Sequence, residues 1–452
     1  MTSSIRFSGA ARTVTGSAYQ VSLDGHDVLV DCGVFQGERD AAERNSRPPV
    51  DKPADLAAVV LTHGHLDHVG RLPLLVQAGF RGRIHGHPAT LAIAEIVLRD
   101  SAKIAQYARN SSFGMDDVDE VLRLFDPVPY RVQRTLAGGA RLTLFDAGHI
   151  LGSSSVLLES SSGTILLSGD LGRRNTPILR DPNTVYPDGT QVDAVVIEST
   201  YGDRDHPRGP ALLERLGQTL RRALDDGGKV LIPAFSIGRT QELVFHLRAL
   251  HAAGQLDGVP VIVDGPMGLD VTSLYTRYRD CYDDDARALV GAGVDPLSFG
   301  DLYGAKGSRQ SEAAANIQGP AIIIAGSGMC TGGRILRHLQ EFLPDPRTDV
   351  VFVGYQARGT VGRRLLEGAH HVALEGRDVP VRARITELSG FSAHADRSGL
   401  LTWLTHVPGA HRRVFVCHGE PDAADAFANL ARERLQLSAS VPHEDDRAPL
   451  RA

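Results

Sequence analysis

Three histidines and an aspartate fall within six positions of the stretch LAAVVLTHGHLDHVG, residues 56–70: His63, His65, Asp67 and His68. Imidazole plus carboxylate is the donor set that divalent zinc accepts. A solvated, histidine-rich loop is the plain alternative; a lone histidine would be unremarkable, but HxHxDH is not. Further candidates follow apolar runs at His149 in RLTLFDAGHILGSSSVLLES, Asp170 in TILLSGDLG and His418 in RRVFVCHGEP. Each alone is more often a turn or cap residue. Together they offer His63, His65, His149 and Asp170 to one metal and Asp67, His68 and His418 to a second, with Asp170 able to bridge both. Two zinc ions held ~3.5–4 Å apart would let a bridging water lose a proton near neutral pH, giving a hydroxide nucleophile, and would offset charge growing on a phosphoryl or acyl group.

A leaving alkoxide still needs a proton. His394 in FSAHAD is the candidate acid, and Glu198, at the end of VDAVVIE, is a plausible partner to fix its tautomer and favour its protonated form. Asp67, His394 and Glu198 are thus the expected catalytic groups. Asp31 ends the run DVLVD and is either a turn cap or a supporting carboxylate that accepts the free ring N–H of a liganding histidine. A second HxH pair, His85 and His87 in IHGHPAT, reads as structural or surface, since no carboxylate follows and Pro88 breaks the pattern.

The elements that must position these groups are legible around them. LAAVVLT has the length and β-branched content of a strand buried on both faces, and Gly64 marks a chain turning out of a sheet. IRFSGA, SAYQVSLDG and DVLVDCG predict short strands, VGRLPLLVQAG a helix that starts near Asp67 and His68, and residues 89–125 helical structure. From about residue 204 the texture changes to strand and helix in alternation: GGKVLIPAFS then RTQELVFHLRALHAAG, PVIVDGP then a helix through Tyr275, AIIIAGSG then GGRILRHLQEFL, DVVFVGYQ then TVGRRLLEG. That pattern predicts a parallel α/β unit of independent-domain size. Residues 281–318, polar and short of apolar anchors, suggest a mobile loop plus one helix, and the tail SASVPHEDDRAPLRA is expected to fray.

With 452 residues the chain has room for two or three domains, and its 42% apolar and 23% charged content is that of a globular protein. No apolar run approaches a membrane span and the first residues lack a signal-peptide core, so no membrane partner and a cytoplasmic location are expected. Cys32, Cys281, Cys330 and Cys417 form no CxxC pair and suggest buried free thiols. A net charge of −6 argues against a general coating of nucleic-acid-binding charge but permits a local basic cleft. The cations are arginine except Lys52, Lys103, Lys229 and Lys306, which suits bidentate phosphate contacts or reflects coding bias.

These motifs resemble the metallo-β-lactamase superfamily, and more closely its β-CASP branch of RNA-processing nucleases, over essentially the whole chain. The superfamily motifs match at Asp31, HGHLDH, His149 and Asp170, and the β-CASP motifs at Glu198, His394 and His418. GAARTVTGS, ESTYGDR, LIPAFSIGRTQE, GSGMCTGGRI and GYQARGT resemble further stretches of these nucleases. The resemblance implies an αββα sandwich with an inserted β-CASP α/β domain built on a parallel sheet, divided as residues 1–203, 204–384 and 385–452. It also implies RNA threading a cleft between the two domains, with Ser327, Gly328 and Arg334 lining it. A Gly-rich strand-to-helix turn does offer N–H groups to phosphate, though by itself it is a plain αβ loop.

The expected function is a zinc-dependent ribonuclease, with two zinc ions per chain, that cleaves phosphodiester bonds of single-stranded RNA in endonucleolytic processing or degradation. A small-molecule lactone, thioester or lactam hydrolase is a first alternative and a silent RNA-binding scaffold a second. DNA cleavage is a third, since no motif reveals whether a 2′-OH is read. Apolar faces near Trp403, the only tryptophan, could serve a homodimer, although a core position is the commoner fate.

Overall fold

In the computed structural model the described residues are 3–37, 40–108, 112–206, 212–357, 359–388, 390–409 and 412–451. Arg358 of the GYQARGT motif and the terminal Ala452 lie outside them. The chain forms two compact units, residues 1–205 with 394–452, and residues 206–393.

The first unit is built on two seven-stranded sheets. One runs, in spatial order, Arg447–Pro449, Ser4–Phe7, Tyr19–Leu23, His26–Val30, Ala58–Val60, Arg83–Gly86 and Phe125–Pro127. The other runs Ser438–Ser440, Arg413–Cys417, Ala194–Glu198, Thr164–Leu167, Ser154–Glu159, Arg141–Asp146 and Arg134–Thr135. Alternation decides which faces meet: Tyr19, Val21 and Leu23 are buried while Gln20 and Ser22 are partly exposed. Those inward residues join Val28, Val60, Leu142, Leu144, Val156, Leu158, Val196 and Phe415 in one core between the sheets. On the outer face of the second sheet, Leu157, Leu166, Val195 and Val416 pack against Leu400, Trp403 and Leu404 of helix Arg397–His406 and Phe427 of helix Pro421–Leu435. Trp403 is therefore a core residue, 3% exposed, and offers no dimer face. On the first sheet's side, helix Pro88–Ala108 packs against strand Phe125–Pro127, and helices Leu72–Gln77 and Pro88–Ala108 both pack on helix Met115–Arg123, giving the αββα order. Within this unit the tail does not fray: Arg447–Pro449 pairs antiparallel with Ser4–Arg6, and Ser438–Ser440 runs parallel to Arg413–Phe415. Backbone pairing holds a segment too polar to announce itself by hydrophobic pattern.

The second unit carries a six-stranded, wholly parallel sheet in the order Leu302–Ala305, Val261–Asp264, Ala321–Ala325, Lys229–Pro233, Asp349–Phe352 and Arg384–Glu387. Its four inner strands are buried, mostly apolar runs, as a sheet covered on both faces requires, while the two edge strands are partly exposed. Residues 281–318, expected as a loop with one helix, hold two helices, Asp284–Gly291 and Ser308–Ala315, and the edge strand Leu302–Ala305. Asp283 caps the first helix through the Ala286 amide; the polar DDD run is a helix start. A boundary at 384 would cut off the last strand of this sheet, and the unit continues to residue 393 because Arg384–Glu387 pairs with Asp349–Phe352. Among the described residues no helix is long and apolar enough to cross a membrane.

Candidate metal centre

The short strand Ala58–Val60 is buried on both faces and ends three residues before His63. His65 keeps an extended backbone, so helix Leu66–Val69 begins directly after it and carries Asp67 and His68. Neighbouring backbone fixes this turn: the Asp67 carbonyl accepts the Ser17 N–H at 2.9 Å and the His68 carbonyl the Cys32 N–H at 2.7 Å. Gly33 is required there, since a Cβ would stand 1.5 Å from the Asp67 carbonyl oxygen. His149 sits in the turn between Arg141–Asp146 and Ser154–Glu159, where its N–H donates to Ser153 Oγ at 2.9 Å. Asp170 follows strand Thr164–Leu167, Glu198 ends Ala194–Glu198 and His418 follows Arg413–Cys417. Gly172 bridges to His394; a Cβ on it would lie 1.8 Å from the Gly148 carbonyl oxygen. Asp31 and His418 both hold left-handed backbone, φ 62° and 47°, which non-glycine residues keep only when the surroundings impose it.

The seven ligand candidates converge in two groups joined by Asp170, and within each group the ligand atoms lie within 4.8 Å of one another. In the first, His63 Nε2 is 3.0 Å from His65 Nδ1, and His149 Nε2 is 3.4 Å from the same atom. Asp170 Oδ2 stands 3.6 Å from His63 Nε2 and 3.7 Å from His149 Nε2. In the second, His68 Nε2 is 3.3 Å from His418 Nε2, and both face Asp67 Oδ2, at 3.8 and 3.7 Å. The other Asp170 oxygen, Oδ1, lies 3.6 Å from His68 Nε2 and is buried without a hydrogen-bond partner. Donors at about 2.0–2.1 Å from a tetrahedral zinc are about 3.3–3.4 Å apart. The spacing, the donor set and the orphaned Asp170 oxygen all fit a cation.

Hydrogen bonds behind the site set the tautomers. Asp31 accepts the Thr62 N–H at 2.8 Å, the Thr62 hydroxyl at 2.9 Å, the Ser17 hydroxyl at 3.0 Å and the His68 Nδ1–H at 2.7 Å. Asp31 therefore stands as the carboxylate behind His68, turning Nε2 toward the centre. His63 Nδ1–H donates to Thr62 Oγ1 at 3.1 Å, which leaves its Nε2 lone pair facing His65. Thr200 does the same for His418, accepting from Nδ1 at 3.4 Å while its hydroxyl donates to the His418 carbonyl at 3.2 Å. Thr62, Thr200 and Ser153 carried no sequence signal beyond adjacency to a ligand or its loop, because a hydroxyl residue at a strand end is ordinary.

Burial strips water from His63 and His65 and disfavours their charged forms: His63 sits well below the usual histidine value, and His65 falls to about 4. Burial opposes charge on His68 as well, but Asp170, Asp31 and Asp67 push it up to about 10. Asp67, which burial would raise, is held well below the carboxylate range by His68 and His418. Burial raises Asp170, against the pull of His418 and His68. Beside these groups His394 Nδ1–H donates to Glu198 Oε1 at 3.1 Å, and that oxygen also accepts the Leu171 N–H at 2.7 Å. Burial would lower His394, yet Glu198 lifts it to about 9; the same contact keeps Glu198 below its ordinary value although burial would raise it. The pair thus forms an imidazolium held by a buried carboxylate.

Three domain families match the chain: "Metallo-beta-lactamase superfamily" over residues 11–234, "Beta-Casp domain" over 240–365 and "Zn-dependent metallo-hydrolase RNA specificity domain" over 378–442. "Ribonuclease TTHA0252" of Thermus thermophilus is 39% identical over 95% of this chain and 96% of its own length. The chain belongs to the β-CASP branch of the metallo-β-lactamase superfamily. "Transcription termination factor FttA" of Pyrococcus abyssi is 33% identical to this β-CASP chain, over 98% of it and 70% of the archaeal protein. A crystal structure of a protein of unknown function from Enterococcus faecalis V583 shares the fold, with a TM-score of 0.59 at 11% identity, covering 99% of this chain and 100% of that one.

The remaining sequence candidates of the β-CASP chain lie in the second unit. Arg334 is tied inward: its Nη1 donates to Asp264 Oδ1 at 2.7 Å and the Ala305 carbonyl at 2.8 Å, and its Nη2 to the Lys306 carbonyl at 2.8 Å. Asp264 also accepts from Ser311 Oγ at 2.6 Å and His338 Nε2 at 2.7 Å. Ser327 Oγ accepts the Thr331 N–H at 2.9 Å, and the Gly328 carbonyl accepts from Gln356 Nε2 at 2.9 Å. His85 and His87 are both buried and belong to neither of the two ligand groups joined by Asp170. His85 Nδ1 is 3.3 Å from Asp126, and His87 stacks on Tyr130 with centroids 4.0 Å apart.

Proposed function

We propose that the chain is a zinc-dependent ribonuclease that hydrolyses phosphodiester bonds of single-stranded RNA, endonucleolytically, using two zinc ions. The observation that carries the two-ion reading is Asp170, whose Oδ2 faces His63 and His149 while its partnerless Oδ1 faces His68 and His418. His63, His65, His149 and Asp170 would hold one ion, and Asp67, His68, His418 and Asp170 the other. Bound there, zinc supplies Lewis acidity that brings a water's pKa toward neutrality and offsets charge on the phosphoryl group. Asp31, Thr62 and Thr200 keep the imidazole lone pairs directed inward. His394, protonated at neutral pH through Glu198, delivers a proton to the leaving alkoxide from the ring edge not engaged by the carboxylate. The RNA substrate is supported by the relative named a ribonuclease and by the matched RNA specificity domain. On this reading the inserted domain is residues 206–393, all the metal-ligating and catalytic groups belong to the other unit, and the protein works in the cytoplasm.

The test is cleavage of labelled RNA by zinc-loaded protein beside His63→Ala, with matched DNA and circular RNA in parallel. Intact RNA in both samples at full zinc occupancy would overturn the assignment. Equal cleavage of DNA would widen the substrate class, and an uncut circle would remove the endonucleolytic action.

A further inference from the structure

Three loops of the second unit leave adjacent parallel strands at one edge of its sheet. Ala234–Ser236 follows Lys229–Pro233, Gly326–Arg334 follows Ala321–Ala325, and Val353–Gln356 follows Asp349–Phe352. The loops interlock around Gly328. Its carbonyl accepts from Gln356 Nε2 at 2.9 Å, and a Cβ at its position would stand 3.0 Å from the Phe235 ring. This edge is also where the topology reverses. The chain passes from Lys229–Pro233 to Val261–Asp264 on one side, and later crosses over it from Ala321–Ala325 to Asp349–Phe352 on the other. Open α/β sheets bind ligands beyond the carboxyl ends of their strands at such a reversal.

Two rings stand in solvent on this seam, Phe235 at 44% exposure and Tyr355 at 57%. Scattered exposed apolar residues need no explanation. Here, however, the large aromatics among the exposed hydrophobics of the described residues are Phe235, Tyr303 and Tyr355; Phe235 packs beside Gly328 and Tyr355 precedes the Gln356 that bonds the Gly328 carbonyl, whereas Tyr303 lies within the edge strand Leu302–Ala305. Both loops are tied to the segment that carries Gly328, through Ala234 N–H to the Ala325 carbonyl at 3.0 Å and Gln356 Nε2 to the Gly328 carbonyl, which limits the backbone freedom lost on contact. A flat apolar face on a fixed frame suits the π-face of an unpaired base, whatever its identity. We propose that Phe235 and Tyr355 form a stacking platform for the bases of a single-stranded nucleic acid. The proposal rests on the nuclease assignment for its ligand class and adds where the bases are held.

The test uses zinc-loaded full-length protein and a phosphorothioate RNA oligonucleotide carrying 2-aminopurine, whose fluorescence is quenched on stacking. Phe235→Ala and Tyr355→Ala are each expected to weaken binding by about 5- to 100-fold, the effect of losing one base–aromatic stack, and to lose the quenching. KM for cleavable RNA should rise with kcat near the parent value, and an abasic oligonucleotide should bind parent and variants alike. Phe235→Trp and Tyr355→Phe should retain binding. Unchanged melting temperature and zinc content show that the alanine variants are folded. Parent-like binding and quenching in the alanine variants would overturn the platform, as would equal weakening with the abasic oligonucleotide. If parent protein quenches the probe but never cuts ordinary RNA, the nuclease assignment fails and the platform stands; if it cuts RNA with no quenching, the reverse holds.

Discussion

Both units place their chemistry where strands end, but they fill those ends differently. In the first unit the strand ends carry imidazoles and carboxylates that turn toward one another, down to 3.0 Å between His63 Nε2 and His65 Nδ1. In the second unit the buried Asp264 is satisfied internally, collecting Arg334, Ser311 and His338, and the loops beyond it expose glycine, hydroxyl and aromatic groups. The first arrangement leaves an Asp170 oxygen without a partner among ligand-type atoms; at Asp264 both carboxylate oxygens are bonded. A strand end is thus a place for chemistry, and the company of each side chain decides whether it acts or supports.

That contrast can be broken by substitution. Asp170→Ala, which removes the carboxylate common to both ligand groups, should abolish RNA cleavage and lower zinc content measured by plasma mass spectrometry; full zinc retention would refute the bridging role. His394→Ala should keep its zinc yet lose about 10²–10⁴-fold in kcat, the usual worth of a positioned proton donor. Asp31→Asn, which leaves His68 without its carboxylate, should weaken zinc affinity by about 10–100-fold in a chelator competition. Glu198→Gln removes the charge that raises His394 toward 9. The donor then loses its proton at lower pH, so the alkaline limb of the pH–kcat profile should move downward, and an unmoved limb would sever the pair.

The smallest catalytic effect should come from the second unit. Asp264→Asn should leave zinc content intact and cost about 1–3 kcal/mol of stability in denaturant unfolding, through partners left under-satisfied. Burial would raise the Asp264 pKa, but His338, Ser311 and Arg334 hold it below 3.8. Its contribution is therefore present above 3.8 and lost as pH falls from there through the lower folded value. The variant's stability should fall less steeply across that acid window than the parent's.

The sequence by itself determined which groups could carry the chemistry. HGHLDH, His149, Asp170 and His418 follow apolar runs or turns in a pattern legible without coordinates, because a buried strand's β-branched content and the glycine after it are local properties. The alternating strands and helices of residues 229–277 and 321–366 were legible for the same reason, whereas the two helices and edge strand of the polar stretch 281–318 were not. The supporting hydroxyls Thr62 and Thr200 were not, since a threonine gains its role only from what lies across from it. Nor were the terminal strand Arg447–Pro449, held by pairing with Ser4–Arg6, and the inward commitment of Arg334, held by Asp264 seventy positions earlier. Those belong to the tertiary structure because hydrogen bonds and ion pairs between distant segments leave no periodicity in either one. Local pattern names the candidate ligands, while only the closed fold brings His68 within 3.3 Å of His418 across 350 residues of chain.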